Sequence, residues 1–136
     1  MAGYSGTPLV RKLGVAAGAS VLLDGAPPGF GLDELPDGVT VSRRLGRGPY
    51  DVILCFCPDV ARLAARWPLL HERTTAVGSL WIAWPKKVRR RGASPSDLDE
   101  NAVRDFALSH GRVDVKVCAI DETWSGLKHV IRKADR

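Results

Sequence analysis

Short apolar runs separated by turn residues and by amphipathic stretches follow one another along the chain. Three such runs cover residues 21–23, 52–57 and 80–84. The run 52–57 is apolar at every position, which is typical of a central strand buried on both faces of a sheet. Because buried strands alternate with helical patterns, the sequence predicts an α/β fold with a doubly wound, mostly parallel sheet.

This pattern also predicts where the strands lie and how the last two of them pair. A last pair of strands is separated by a short link, which predicts an antiparallel C-terminal hairpin. Pro68 lacks an amide hydrogen and clashes with the preceding turn, so we expect a kink or restart of its helix there. The predicted strands cover residues 20–24, 39–41, 50–57, 78–84, 113–119 and 127–132, with a helical turn allowed at 32–35.

Helix boundaries are predicted from capping residues. Thr7 followed by Pro8 is typical of a helix start, and Gly14 suits the left-handed exit from that short helix. Asp97 and Glu100 have the spacing of a capping box, with Asp in place of Ser or Thr. We therefore expect Asp97 to begin the last helix.

Length and composition are those of an ordinary globular protein. The chain has 136 residues, of which 45% are hydrophobic and 26% charged, so we expect one domain over residues 1–136. No apolar run approaches the about 20 residues that span a bilayer, and no apolar core precedes Arg11 as in a secretory signal. Cys55, Cys57 and Cys118 lack a metal-type spacing, so we expect reduced thiols, a cytoplasmic location and no metal.

The net charge of +5 is concentrated in one basic loop, residues 86–91. Two interpretations stay open for this loop. It is either a solvated surface segment or a contact for nucleic acid or phosphate. The cations are Lys86, Lys87, Arg89, Arg90 and Arg91.

Several segments resemble known families. Residues 13–25 (LGVAAGASVLLDG) and 50–55 (YDVILC) resemble the first and central strands of class I methyltransferases, and the last third is similar to their closing helix, strand and hairpin. This resemblance implies a Rossmann-like domain. Residues 80–87, 113–119 and 121–128 resemble a small bacterial family of unknown function, which implies a compact cytoplasmic protein without an assigned activity.

The methyltransferase resemblance implies where S-adenosylmethionine would bind, and the sequence departs from the pattern there. Such enzymes have closely spaced glycines after the first strand and an acidic residue after the second, which accepts hydrogen bonds from the ribose. Here Gly25 and Gly29 bracket two prolines that offer no amide hydrogen. The second strand ends at Arg43 and Arg44, and a cation does not accept those bonds. We therefore expect no cofactor.

Other polar groups at the predicted strand ends have two interpretations each. Arg43 either binds a phosphate or faces solvent. Cys57, just before Asp59, is either a reactive thiol at a helix start or a packed core residue. Trp84 either stacks on a nucleic-acid base or covers the core. Trp124, in the polar connection 121–125, packs on a neighbouring element or on a partner.

The carboxyl ends of parallel strands meet at one edge of the sheet, where ligands bind in such folds. We therefore predict a non-catalytic binding or regulatory protein whose partner is a small anionic ligand or another protein. A methyltransferase with a modified cofactor loop, or nucleic-acid binding through residues 86–91, are the alternatives. The oligomeric state stays open. The candidate binding residues are Asp24, Gly25, Gly29, Phe30, Arg43, Cys57, Asp59, Trp84, Lys86, Lys87, Asp121, Glu122, Trp124 and Ser125.

Overall fold

A computed structural model describes residues 7–87 and 96–136, which form one six-stranded sheet with helices packed on it. In chain order the strands are β1 Ser20–Asp24, β2 Thr40–Ser42, β3 Tyr50–Phe56, β4 Thr74–Pro85, β5 Val113–Ala119 and β6 Trp124–Val130. The helices are α1 Leu9–Lys12, α2 Val60–Glu72 and α3 Glu100–Ser109, followed by a 3₁₀ turn at Lys133–Asp135.

The sheet has the strand order β2-β1-β3-β4-β6-β5 and is mixed. The first four strands in this order are parallel, whereas β6 is antiparallel to both β4 and β5. The prediction of an α/β fold with an antiparallel C-terminal hairpin is confirmed. Because Pro85 at the end of β4 pairs with Trp124 at the start of β6, the turn between β5 and β6 lies at the same edge as the ends of the parallel strands.

Alternation along the strands produces a core on each face of the sheet. On one face, residues such as Ile53 and Ile82 pack with the buried sides of α2 and α3. On the other face, Leu54 and Trp81 pack with α1 and the segment after it. The fully apolar β3 therefore contributes to both cores, as its sequence predicts.

Pro68 does not interrupt its helix, so the predicted restart is wrong and the kink stays a prediction. α2 runs from Val60 to Glu72 with Pro68 exposed on its outer side. Leu63, Trp67 and Leu70 lie on both sides of the proline and are buried against the sheet. Packing of this apolar face stabilises the helix more than the proline disrupts it.

The predicted helix caps are also corrected. Asp99, not Asp97, caps α3, because its carboxylate accepts a hydrogen bond from Ala102 N at 2.8 Å. Asp97 instead accepts from Val60 N at 2.8 Å and so satisfies an amide at the start of α2. At α1 the cap position is Pro8 and no side chain caps the helix, so the proposed role of Thr7 is wrong.

Some boundaries differ from the sequence prediction. β6 begins at Trp124 rather than 127 and ends at 130, and β4 extends back to Thr74. β2 covers Thr40–Ser42, and residues 32–35 contain no helical turn. Within the described ranges, no helix has the length and apolar character that crossing a membrane requires.

Candidate functional site

The carboxyl edge of the sheet contains a cavity on the side of α1. Its volume is about 1010 Å³. Three segments form it: the start of α1, the loop after β1 (residues 25–34, hereafter the first loop) and the connection between β5 and β6 (residues 120–123, the hairpin turn). The lining residues are Thr7, Pro8, Leu9, Lys12, Pro27, Pro28, Gly29, Phe30, Gly31, Asp33, Glu34, Ile120, Asp121, Thr123 and Trp124.

Three aromatic rings connect this cavity to the core. The Phe56 ring is buried at the end of β3, and Phe30 meets it edge to face with ring centroids 4.9 Å apart. Trp124 meets Phe56 in the same way at 5.1 Å. Edge-to-face contacts at these distances are favourable. Phe30 and Trp124 are half-buried, so one part of each ring packs on the core while the residue also lines the cavity.

The hairpin turn is held by backbone hydrogen bonds on both sides. The Asp121 carboxylate accepts from Thr123 N and Trp124 N, each at 2.8 Å. Thr123 O accepts from Lys86 N at 2.8 Å, which ties the turn to the end of β4. Asp121 therefore fixes the turn through local side-chain to backbone hydrogen bonds. Glu122 is exposed and Ser125 lies in β6 opposite Trp84, and neither lines the cavity.

Arg43 is exposed, which agrees with its solvent-facing interpretation, and its side chain also contacts the first loop, whereas phosphate binding stays a prediction. Its Nη1 donates to Phe30 O at 2.6 Å, and its Nη2 donates to Pro27 O at 3.2 Å. The guanidinium thus holds the first loop from the residue after β2. No ligand role for Arg43 is needed to explain its position.

Asp24 is removed from the cavity by ion pairs with α2. Its carboxylate is almost fully buried and accepts from Arg66 at 2.7 and 3.0 Å, with Arg62 Nη2 at 3.7 Å. Gly25 adjoins Arg62, because a Cβ there would lie 3.1 Å from Arg62 Nη2. Neither Asp24 nor Gly25 lines the cavity.

Cys55 of β3 and Cys57, the residue that follows the strand, are packed in the core. Cys55 and Cys57 are fully buried on one face, with their Sγ atoms 3.5 Å apart. Burial and the hydrogen bond with Cys57 raise the pKa of Cys55, which also donates to the Asp24 carboxylate. Asp59 caps α2 by accepting from Arg62 N at 2.9 Å. The geometry therefore agrees with packing and capping roles.

The aromatic residue at the end of β4 and the basic residues after the strand have different surroundings. Trp84 is buried in the core with α2 and α3, which agrees with its packing interpretation. Lys86 donates its backbone amide to the hairpin turn, and Lys87 Nζ lies 4.0 Å from the Asp99 carboxylate. Arg89, Arg90 and Arg91 lie outside the described residues, so nucleic-acid binding through this loop stays a prediction.

Only some of the candidate binding residues predicted from the sequence line the cavity. Of the fourteen candidate residues, Gly29, Phe30, Asp121 and Trp124 do so. Pro27, Pro28 and Thr123 lie within the segments 25–30 and 121–125 proposed from the sequence, whereas the remaining lining residues were not predicted to bind a ligand. The predicted helix start at Thr7 and Pro8 placed Lys12 in a short helix. Nothing in a single sequence, however, places that helix beside the hairpin turn. Among residues 7–87 and 96–136, no group of His, Cys, Asp or Glu is arranged to hold a metal ion.

Comparisons with known proteins give a fold likeness. No family model and no curated protein matches the chain. A solved structure described as a SAM dependent methyltransferase from Aquifex aeolicus is similar, with a TM-score of 0.64. Its sequence identity is 17%, and the alignment covers 91% of this chain and 88% of that one. At this identity the likeness shows a methyltransferase-like fold and no activity.

Proposed function

We propose that this protein binds a small organic ligand with a flat apolar group, in the cavity between the first loop and the hairpin turn. The observation that supports this most directly is the cavity itself, whose size is that of a small-molecule site. Phe30 and Trp124 supply aromatic surface at the cavity, and both rest on the buried Phe56. A preformed aromatic surface favours a planar group such as a heterocycle.

The charges around the cavity favour a neutral or cationic ligand. Three carboxylates (Asp33, Glu34 and Asp121) and one amine (Lys12) line it. A polyanion such as a nucleotide triphosphate would approach a net negative surface, which costs free energy. The proposal therefore replaces the small anionic ligand that sequence analysis predicted with an uncharged or positively charged one.

The residues that line the cavity favour ligand binding without catalysis. The described lining contains no thiol, which is intrinsically the strongest of the common nucleophiles, and no imidazole, which is the commonest general base. One of its carboxylates, Asp121, already accepts two backbone amides. These features favour a binding or regulatory protein.

A methyltransferase is the second candidate, and the similar solved structure favours it. S-adenosylmethionine also has a planar base and a positive charge, so the cavity would suit parts of it. Two features oppose its conventional mode of binding. Arg43 follows β2 and is engaged with the first loop, and the two prolines of that loop offer no amide hydrogen.

The proposal is tested by titrating the protein with adenosine, S-adenosylmethionine, S-adenosylhomocysteine and ATP. Thermal unfolding and tryptophan fluorescence report binding, because a ligand at 100 times its Kd raises the free energy of unfolding by about 2.7 kcal/mol, roughly 9 °C in Tm for this length. Binding of adenosine without ATP supports the proposed ligand class. Binding of S-adenosylmethionine and S-adenosylhomocysteine but not of adenosine would instead favour the second candidate, and no shift with any probe argues against both.

Two variants locate the binding site. Thr123 is exposed in the hairpin turn and lines the cavity, so Thr123→Tyr fills the cavity without entering the core. Thr40→Tyr is the matched control, because Thr40 is exposed in β2 and does not line the cavity. We expect Thr123→Tyr to abolish the shift and Thr40→Tyr to retain it. Equal binding by both variants would place the ligand elsewhere.

A further inference from the structure

The two sides of the cavity are held in different ways. The hairpin turn belongs to the sheet: Lys86 N donates to Thr123 O, and Ile120 N and Asp121 N donate to Trp124 O. The first loop has no strand neighbour over residues 25–34. Its internal bond runs from Phe30 N to Pro27 O at 3.1 Å. The cavity therefore has one side built into the sheet and one side formed by a loop.

Arg43 connects this loop to the end of β2. Its two Nη atoms donate to the carbonyls of Pro27 and Phe30, which are the first and last residues of the same turn. A guanidinium presents two parallel donors in a fixed plane, whereas an ammonium does not. The contacts span 13 and 16 residues of sequence, so they are tertiary contacts. Arg43 is exposed, so its loss removes no core packing.

We propose that Arg43 is the positioning residue of the cavity, which keeps the first loop in the shape that ligand binding requires. With the loop held, the Phe30 ring packs on Phe56 and forms part of the aromatic surface. Without Arg43 the loop samples other arrangements, and a ligand binds only the fraction that is correctly shaped. The effect on a ligand rests on the proposed function, whereas the effect on the loop does not.

The test compares Arg43→Gln, Arg43→Lys and the control Arg44→Gln. Arg44 is the exposed neighbour with the same charge, and no hydrogen bond joins its side chain to the first loop. Hydrogen exchange of the Phe30 amide, which donates to Pro27 O, and of the amides of residues 50–56 is measured by NMR on the protein without ligand. We expect Arg43→Gln to accelerate exchange at Phe30 at least fivefold and to leave 50–56 unchanged. Arg43→Lys should lie between, because it keeps the charge without the paired donors.

Adenosine binding is then measured for the same variants. We expect Arg43→Gln to raise its Kd about five- to twentyfold, mostly through slower apparent association because a smaller fraction of the protein is correctly shaped, while Arg44→Gln stays within twofold. If wild type does not bind adenosine but exchange rises at Phe30, the loop role of Arg43 stands and the proposed ligand class fails. Equal exchange of Arg43→Gln and Arg44→Gln overturns the positioning role, and so does acceleration in 50–56, which would indicate global destabilisation.

Discussion

Arg66 of α2 and Asp24 of β1 form a two-point ion pair at the carboxyl edge of the sheet. Arg66 Nη2 lies 2.7 Å from one carboxylate oxygen, and its Nε lies 3.0 Å from the other. The Asp24 side chain is 5% exposed and that of Arg66 is 21% exposed, so the pair is partly shielded from water. The hydrogen bond with Asp24 raises the pKa of Arg66. The pair joins the end of the first strand to the helix that follows β3.

Asp24→Asn should therefore destabilise the protein. The substitution removes the negative charge and leaves Arg66 without its ionic partner, which costs about 2–4 kcal/mol when a buried pair is broken from one side. Urea unfolding at pH 7 measures the loss. Asp37→Asn is the control, since Asp37 is exposed and makes no side-chain ion pair in the described chain. A loss below about 0.5 kcal/mol, the level of a surface substitution, would show that the pair contributes little.

Trp124 is expected to contribute moderately to stability. Its ring contacts Phe56 but is half-buried, whereas Trp81 is fully buried and donates Nε1–H to Leu13 O at 3.2 Å. Truncating a side chain lowers the free energy of unfolding by more when the side chain is more buried. We therefore expect a loss of about 2 kcal/mol for Trp124→Ala and about 4 kcal/mol for Trp81→Ala. Chemical unfolding of both variants tests the order. A loss for Trp124→Ala as large as that for Trp81→Ala would make Trp124 a core residue and weaken its assignment to the ligand surface.

The thiols of Cys55 and Cys57 should be unreactive in the folded protein. Cys55 and Cys57 have no exposed surface, and the pKa of Cys55 is raised. Burial also raises the pKa of Cys118, which is half-buried. A thiol reagent at pH 7.5 should modify Cys118 slowly and the other two only after unfolding in guanidinium chloride. Rapid modification of Cys57 in the folded protein, identified by peptide mass, would contradict this prediction.

Gly78 is expected to be intolerant of any side chain. The register of β3 against β4 shifts near Gly78, because Tyr50 pairs with Thr74 whereas Val52 pairs with Ser79. A Cβ on Gly78 would lie 2.7 Å from Thr75 Oγ1 and 3.0 Å from Asp51 O. Because backbone cannot easily move away, Gly78→Ala should cost about 2 kcal/mol. Gly31→Ala is the control, as nothing lies within 4 Å of its Cβ position, and the two variants should differ in Tm.

The strands were predictable from sequence because burial on both faces leaves a continuous apolar run. Ser20–Asp24 and Tyr50–Phe56 match their predicted spans within one residue. The wrong predictions concern positions where tertiary contacts, rather than the local sequence, determine the structure. Pro68 lies within a helix because the flanking residues are buried against the sheet. Asp97 has a capping sequence, but its carboxylate binds the amide of Val60, 37 residues away.

The site was less predictable than the fold for the same reason. The ends of the parallel strands and the hairpin turn were expected at one edge, and they are there. Which residues of that edge border open space depends on side-chain contacts between distant segments. Asp24 is covered by Arg66, and Arg43 turns back onto the first loop. No local pattern in the sequence encodes either contact.

His129 provides the last prediction, which concerns pH. It lies in β6 and is fully buried, and its Nδ1–H donates to Leu80 O at 3.1 Å. Burial lowers the pKa of His129 to about 4, opposed by that hydrogen bond and by Asp114, while Arg112 and Arg104 lower it further. The folded state therefore keeps this histidine neutral at a pH where the unfolded chain, with a pKa of about 6.5, binds a proton.

The sign follows from this difference in proton binding. The contribution of His129 is fully present above about pH 6.5 and is lost as the pH falls toward 4, by about 3 kcal/mol in total. Urea unfolding of wild type and His129→Gln between pH 7.5 and 4.5 isolates it, because carboxylates titrate in both proteins. We expect the variant to be less stable at pH 7.5 but to lose less stability on acidification. Parallel pH profiles would mean that His129 is protonated in the folded protein as easily as in the unfolded chain.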